Sequence, residues 1–350
     1  MAKAPLHSGE KEFVRRVLIV LGLAALVFLL WQLRTLFLML FGAIVIASIF
    51  RTIADAICKF TKWPSGVATA LSILLVLGSV AALIALFGAH IADQIQTLGD
   101  SLPAAWTAFE QRIGDFGLGN QLEQLVASIS TPGGSNLSGF GRTLLSIGSG
   151  LADLLVVIFA GIYLATQPNF YLIGAIKLVP RDRRGIAAEA MLESERALRL
   201  WLKGQAIAML VVGICTGLGL WALGMPSALV LGLLAGLLEF IPFAGPLIAA
   251  VPAILLSVAV GPEMTLWVAG LYLLVQQIEG NVLTPLVQQY AVDLPGVVLL
   301  FSLIGFGILF GTLGVILAAP LAVVSLVLVK RLYVIETLHT ATPIPGENKS

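Results

Sequence analysis

Apolar runs of membrane-crossing length, fenced by charged residues, recur along this chain and leave few architectures open to it. A helix needs about 20 apolar residues to cross a hydrocarbon layer of about 30 Å, because it rises about 1.5 Å per residue. Runs that meet or approach this length occupy residues 17–33, 36–50, 67–88, 151–171 and 206–223, followed by 227–260, 265–282 and 297–329. A water-soluble core cannot absorb this excess: 59% of residues are hydrophobic and only 11% charged, with a mean hydropathy of +1.01. The predicted fold is all-α and polytopic, with about eight transmembrane helices, broken or re-entrant helices in the C-terminal part and a small helical extracytoplasmic insert. A cleaved signal peptide is the rival reading of the first run, but no small-x-small site follows it and a second span does.

Positive charge marks the cytoplasmic loops of such proteins. Lys3, Lys11, Arg15 and Arg16 precede the first run, and Arg51, Lys59 and Lys62 follow the second. Lys177, Arg181, Arg183, Arg184, Arg196, Arg199 and Lys203 follow the fourth, and Lys330 and Arg331 close the last. Between 91 and 145 the balance inverts, with Asp93, Asp100, Glu110, Asp115 and Glu123 against Arg112 and Arg142. Eight crossings with both termini cytoplasmic satisfy every assignment, in a bacterial inner membrane. The expected organisation is a three-span membrane region at 1–90, an extracytoplasmic helical insert at 91–147 and a fourth span at 148–175. A cytoplasmic amphipathic helix at 176–203, a C-terminal membrane core at 204–331 and a flexible cytoplasmic tail at 332–350 complete it.

Two pieces lie outside the spans. Ile91, Ile95, Leu98, Leu102, Trp106, Phe109 and Ile113 recur at helical steps, predicting an amphipathic helix. A shorter helix at 118–129 and a breaker run at 131–136 follow. This insert reads as a helical cap, an oligomer contact or a substrate vestibule. The second piece, 181–203, pairs Glu195 with Arg199 at i, i+4 and reads as an interfacial helix or a solvated connector.

Several chemistries are disfavoured. A net charge of +1 gives no basic stripe for nucleic acid. Cys58 and Cys215 are the only cysteines and read as packing residues, while His7, His90 and His339 form no HExxH. No cofactor or metal is expected. The sequence carries no GxGD or paired-aspartate motif, so an enzyme is disfavoured, and no GxxxxGK[ST], so active transport would draw on an ion gradient or a partner.

The informative residues lie near the C-terminus. Runs 227–260 and 297–329 are too long for one straight span and too short for two, so each must break. Pro242, Gly245, Pro246 and Pro252 interrupt the first, and Gly305, Gly307, Gly311, Gly314 and Pro320 the second. Lipid tolerates such breaks only where the freed backbone groups are buried or line a wet cavity. A shift of 69 positions superposes Gly236 on Gly305, Gly245 on Gly314 and Ala249–Ala250 on Ala318–Ala319, a faint internal echo. Glu239 sits just before the first break, and Gln276, Gln277, Glu279 and Asn281 gather before Pro285. An ionisable group costs about 2.5–3.5 kcal/mol at the bilayer centre on insertion scales. These groups therefore either serve a pathway, with a carboxylate exchanging protons or holding a cation, or satisfy broken-helix backbone.

Four motifs together resemble the autoinducer-2 exporter (PerM-like permease) family. They are Leu202-Lys203-Gly204-Gln205, the stretch from Glu239 through Pro242 and Gly245 to Pro246, the stretch from Ile278 through Glu279 and Asn281 to Pro285, and the Gly311-, Gly314- and Pro320-containing end. The resemblance covers nearly the whole chain. It implies a homo-oligomeric, eight-span inner-membrane transporter or permease exporting a small polar solute, the quorum-sensing signal autoinducer-2; protons or sodium are the coupling ions expected from the carboxylates themselves. Some relatives are linked to sodium or lithium/proton antiport, so an antiporter stays open, as does a passive channel or scaffold.

Overall fold

The computed structural model describes residues 8–115, 153–283, 294–340 and 342, and every regular element among them is a helix. Helix α1 (Ser8–Gln32) meets α2 (Arg34–Thr61) across the single residue Leu33. None of the apolar window Arg15–Gln32 is buried against the rest of the chain. Lys62 closes α2 in a left-handed conformation, φ 58°, donating its N–H to the Cys58 carbonyl. Pro64 then separates α2 from α3 (Ser65–Asp115).

With 51 residues, α3 is roughly 75 Å long at about 1.5 Å per residue. It carries the third apolar run and continues unbroken through the periodic stretch 91–113. The expected amphipathic helix is therefore the far end of a span. The helix expected at 118–129 and the breaker run at 131–136 lie outside the described residues.

The fourth apolar run contains a corner. Helix α4 (Asp153–Thr166) and helix α5 (Pro168–Lys177) meet at 91°. The cause is local: Pro168 has no N–H to donate and pushes the preceding Gln167 out of helical geometry, to φ −128° and ψ 54°. After a short 3-10 turn at Arg181–Arg183, α6 (Arg184–Ala222) joins the amphipathic stretch to the fifth apolar run as one helix.

The sixth run divides into α7 (Ala228–Leu238) and α8 (Ala244–Val260). Helix α9 (Pro262–Ile278) ends in a wide π-type turn at Glu279–Leu283. The helical stretch α10 (Gly296–Ile316), interrupted at Gly311, and helix α11 (Ala318–Val329) follow, and a second π-type turn, Lys330–Ile335, closes the bundle. Among the described residues, six helical stretches, the interrupted α10 included, have the length and apolar composition to cross a membrane, or seven with the bent α4–α5 pair as one span, while α7 and α8 are shorter apolar pieces.

Buried apolar clusters hold the C-terminal half together. Leu220, Leu231, Leu256 and Val268 join α6 through α9. Val45, Leu198, Trp201, Val323 and Val327 fasten α6 to α2 and α11. Ion pairs reinforce the second contact. Arg199 reaches Asp55 on α2 while holding the expected i, i+4 partner Glu195 at 2.6 Å, and Arg331 bonds Glu189 of α6.

Candidate permeation site

The site begins where the sixth apolar run breaks. The lack of an N–H on Pro242 removes one ladder bond, and Phe243 adopts φ 65°, ψ −49°, a conformation costly for a residue with a side chain. Beyond it, Gly245 lies so close to the Leu238 carbonyl that a Cβ there would collide with it. Along a straight helix those residues would stand roughly 10 Å apart. The chain has therefore folded back, and α7 and α8 form a helical hairpin whose tip is 239–243.

A folded tip frees backbone groups, and α6 answers one of them. The Gln205 side-chain amide donates to the Glu239 carbonyl at 2.6 Å. The Glu239 side chain is buried, 2% exposed. Its carboxyl lies within hydrogen-bonding reach of that of Glu279, and its Oε2 atom meets no donor among the described residues. Helix α9 and its π-type turn bring Glu279 to this point. Gln276 donates to Glu279 Oε2 at 2.7 Å, and Asn281 donates to Gln277 Oε1 at 2.7 Å. Gln276, Gln277 and Asn281 are exposed and Glu279 is half-buried. The arrangement is a buried carboxyl joined to a more open one, flanked by an outward row of amides.

The second break repeats the first in form. Gly311 takes φ 67° and ψ −148°, and Gly314 packs onto the Phe306 carbonyl as tightly as Gly245 packs onto that of Leu238. Here too the chain reverses on itself. Pro320 is fully buried. The two breaks are linked through aromatic rings. Phe240 meets Trp201 edge-on at 5.7 Å within the cluster that holds Ala319 and Val323, and the Phe243 ring faces the start of α10 at Gly296. Pro285 lies outside the described residues.

Sequence reasoning gave Gln205 no separate role. Its signal was available: a polar amide inside an apolar run must find a partner in the protein. The meeting of Glu239 and Glu279 had no local signal at all.

A family model described as AI-2E family transporter matches residues 18–333. The chain is 31% identical over 162 residues to the candidate transport protein YrrI of Bacillus subtilis, covering 46% of each chain. It is 30% identical over 176 residues to the candidate permease PerM of Escherichia coli, covering 49% of each. It is 37% identical over 119 residues to the AI-2 transport protein TqsA of Escherichia coli, covering 32% of this chain and 34% of TqsA. These matches span half or less of each relative's length.

Proposed function

This chain belongs to the AI-2E transporter family, and from that premise we propose that it carries a small polar solute across a bacterial inner membrane, driven by an ion gradient. The observation that carries the reading is the buried Glu239 carboxyl placed against that of Glu279 at the tip of a broken helix. A hydrogen bond between two carboxyl groups needs a proton in it, and a small cation can take that proton's place. Such a pair in a low-dielectric setting is a means of coupling an ion to a conformational change. The exposed amides of Gln276, Gln277 and Asn281 offer donors and acceptors suited to a hydroxylated solute.

Autoinducer-2, named in one relative, is a small molecule of this class and the first solute to test. Glu279 is the coupling group and Glu239 its buried partner. In proteoliposomes with an imposed proton or sodium gradient, Glu279→Gln should abolish gradient-driven uptake of the solute while the protein still assembles. Unchanged uptake would remove Glu279 from the mechanism. Cation movement that depends on both carboxyls but needs no organic solute would replace solute export with sodium (lithium)/proton antiport, which the same pair also suits. Flux indifferent to both carboxyls would make the protein a passive channel.

A further inference from the structure

A polar cavity of about 280 Å³ lies where α2 ends, α3 begins and α4 turns into α5. Its walls include Arg51, Asp55, Cys58, Ser65, Gln167 and Asn169. Asp55 is already paired with Arg199. The Nε atom of Arg51 is fully buried and has no hydrogen-bond partner among the described residues. Arg51 is therefore the cationic side chain on this wall, with a buried N–H left without an acceptor.

Two helix starts reinforce it. Helix α3 begins at Ser65 and α5 at Pro168, both on the cavity wall, and Gln167 makes no side-chain capping bond to α5. First-turn N–H groups lack intrahelical acceptors and carry the positive end of the helix dipole. The surroundings are those of a membrane surface. Phe60, Trp63, Phe170 and Leu178 are strongly exposed, and Lys59 and Lys62 stand beside them. Aromatic and basic residues gather at headgroup depth. No residue of α5 is buried, and its 91° turn from α4 suits a helix lying along the surface.

We propose that this cavity holds the phosphate group of an anionic phospholipid, with Arg51 as its cation. A free phosphate would share the cation and the helix ends but would have no use for the apolar rim, so the rim favours a lipid.

Cys58 on the cavity wall supplies the reporter. With Cys215 replaced by serine, Cys58 is the sole thiol, and its alkylation rate is measured in maltoside micelles with and without added phosphatidylglycerol. When the lipid is present at about ten times its Kd, mass action predicts about tenfold slower alkylation. Arg51→Gln should lose that protection, and Arg51→Lys should keep part of it. Equal rates with and without lipid, or equal protection in wild type and Arg51→Gln, would overturn the proposal. Protection of the same size by inorganic phosphate alone would overturn the lipid as its source. Should Arg51→Gln not fold, native mass spectrometry of the wild type decides: a retained phosphatidylglycerol supports the site, and its absence after mild delipidation refutes it.

Discussion

At Gly245 and Gly314 a single hydrogen stands where any other residue would place a carbon inside a backbone carbonyl. A carbonyl within a folded tip cannot swing aside as a side-chain end can, so Gly245→Ala should cost about 1–3 kcal/mol through overpacking. Gly270 on α9 is the control. Nothing lies within 4 Å of a Cβ built there, so Gly270→Ala should leave stability unchanged or raise it by up to about 1 kcal/mol through helix propensity. Thermal unfolding in detergent checks both, and equal midpoints would count against the tight tip. Much at this scale was readable in the sequence. Pro242 and Gly311 announce breaks, and the 69-position echo aligns the very glycines that close the two reversals. The carboxyl pair was not readable, because Glu239 and Glu279 meet only through the packing of α9 beside α8 and α6, which no local pattern encodes.

Lipid tails are as apolar as the side chains, so helices in a bilayer have no hydrophobic drive to associate and depend on tight van der Waals packing, close backbone approach and polar bonds. Helices α6 and α7 show the consequence. Gly213 faces Gly236, and Gly217 faces Gly232, with backbones touching along two small-xxx-small stripes. That contact holds Gln205 beneath Glu239 and so carries the tip of the α7–α8 hairpin. Gly232→Val should force the helices apart, costing about 1–3 kcal/mol or more, and lower the yield of folded protein in fluorescence-detected size exclusion. Gly78→Val, on a stretch of α3 with open space around it, should leave that yield unchanged. If both variants behave alike, the stripe does not hold the hairpin. The spacing of these glycines is plain in the sequence, but which stripe meets which is settled only by the reversal between Ala222 and Ala228. The corner at Gln167 shows the same mixture: Pro168 marks it, but an apolar run read for length alone passes straight through.

Taken whole, the molecule is longer than the layer it crosses. Helix α3, roughly 75 Å long, outreaches a hydrocarbon layer of about 30 Å, so a large part of it must project into water. The projecting end is the acidic one, with Asp93 and Asp100 exposed. Gln94 marks where it leaves the bundle, accepting from Val230 N through its side chain and from Ser227 Oγ through its backbone, at the start of α7. The opposite end gathers the basic residues: the Arg199 and Arg331 ion pairs, Lys59, Lys62 and the Arg51 cavity. One molecule thus has an acidic end and a basic end, and the rule that Lys and Arg stay on the cytoplasmic side predicts that the basic end faces the cytoplasm. With Cys215 and Cys58 replaced, a cysteine at Asp100 should react with a membrane-impermeant maleimide in intact cells. Native Cys58, alone in its own variant, should react only once the cytoplasmic face is opened. Because the two positions lie at opposite ends of the same pair of helices, they must report opposite faces. Labelling in the reverse order would place the basic end outside and invert the molecule in its membrane.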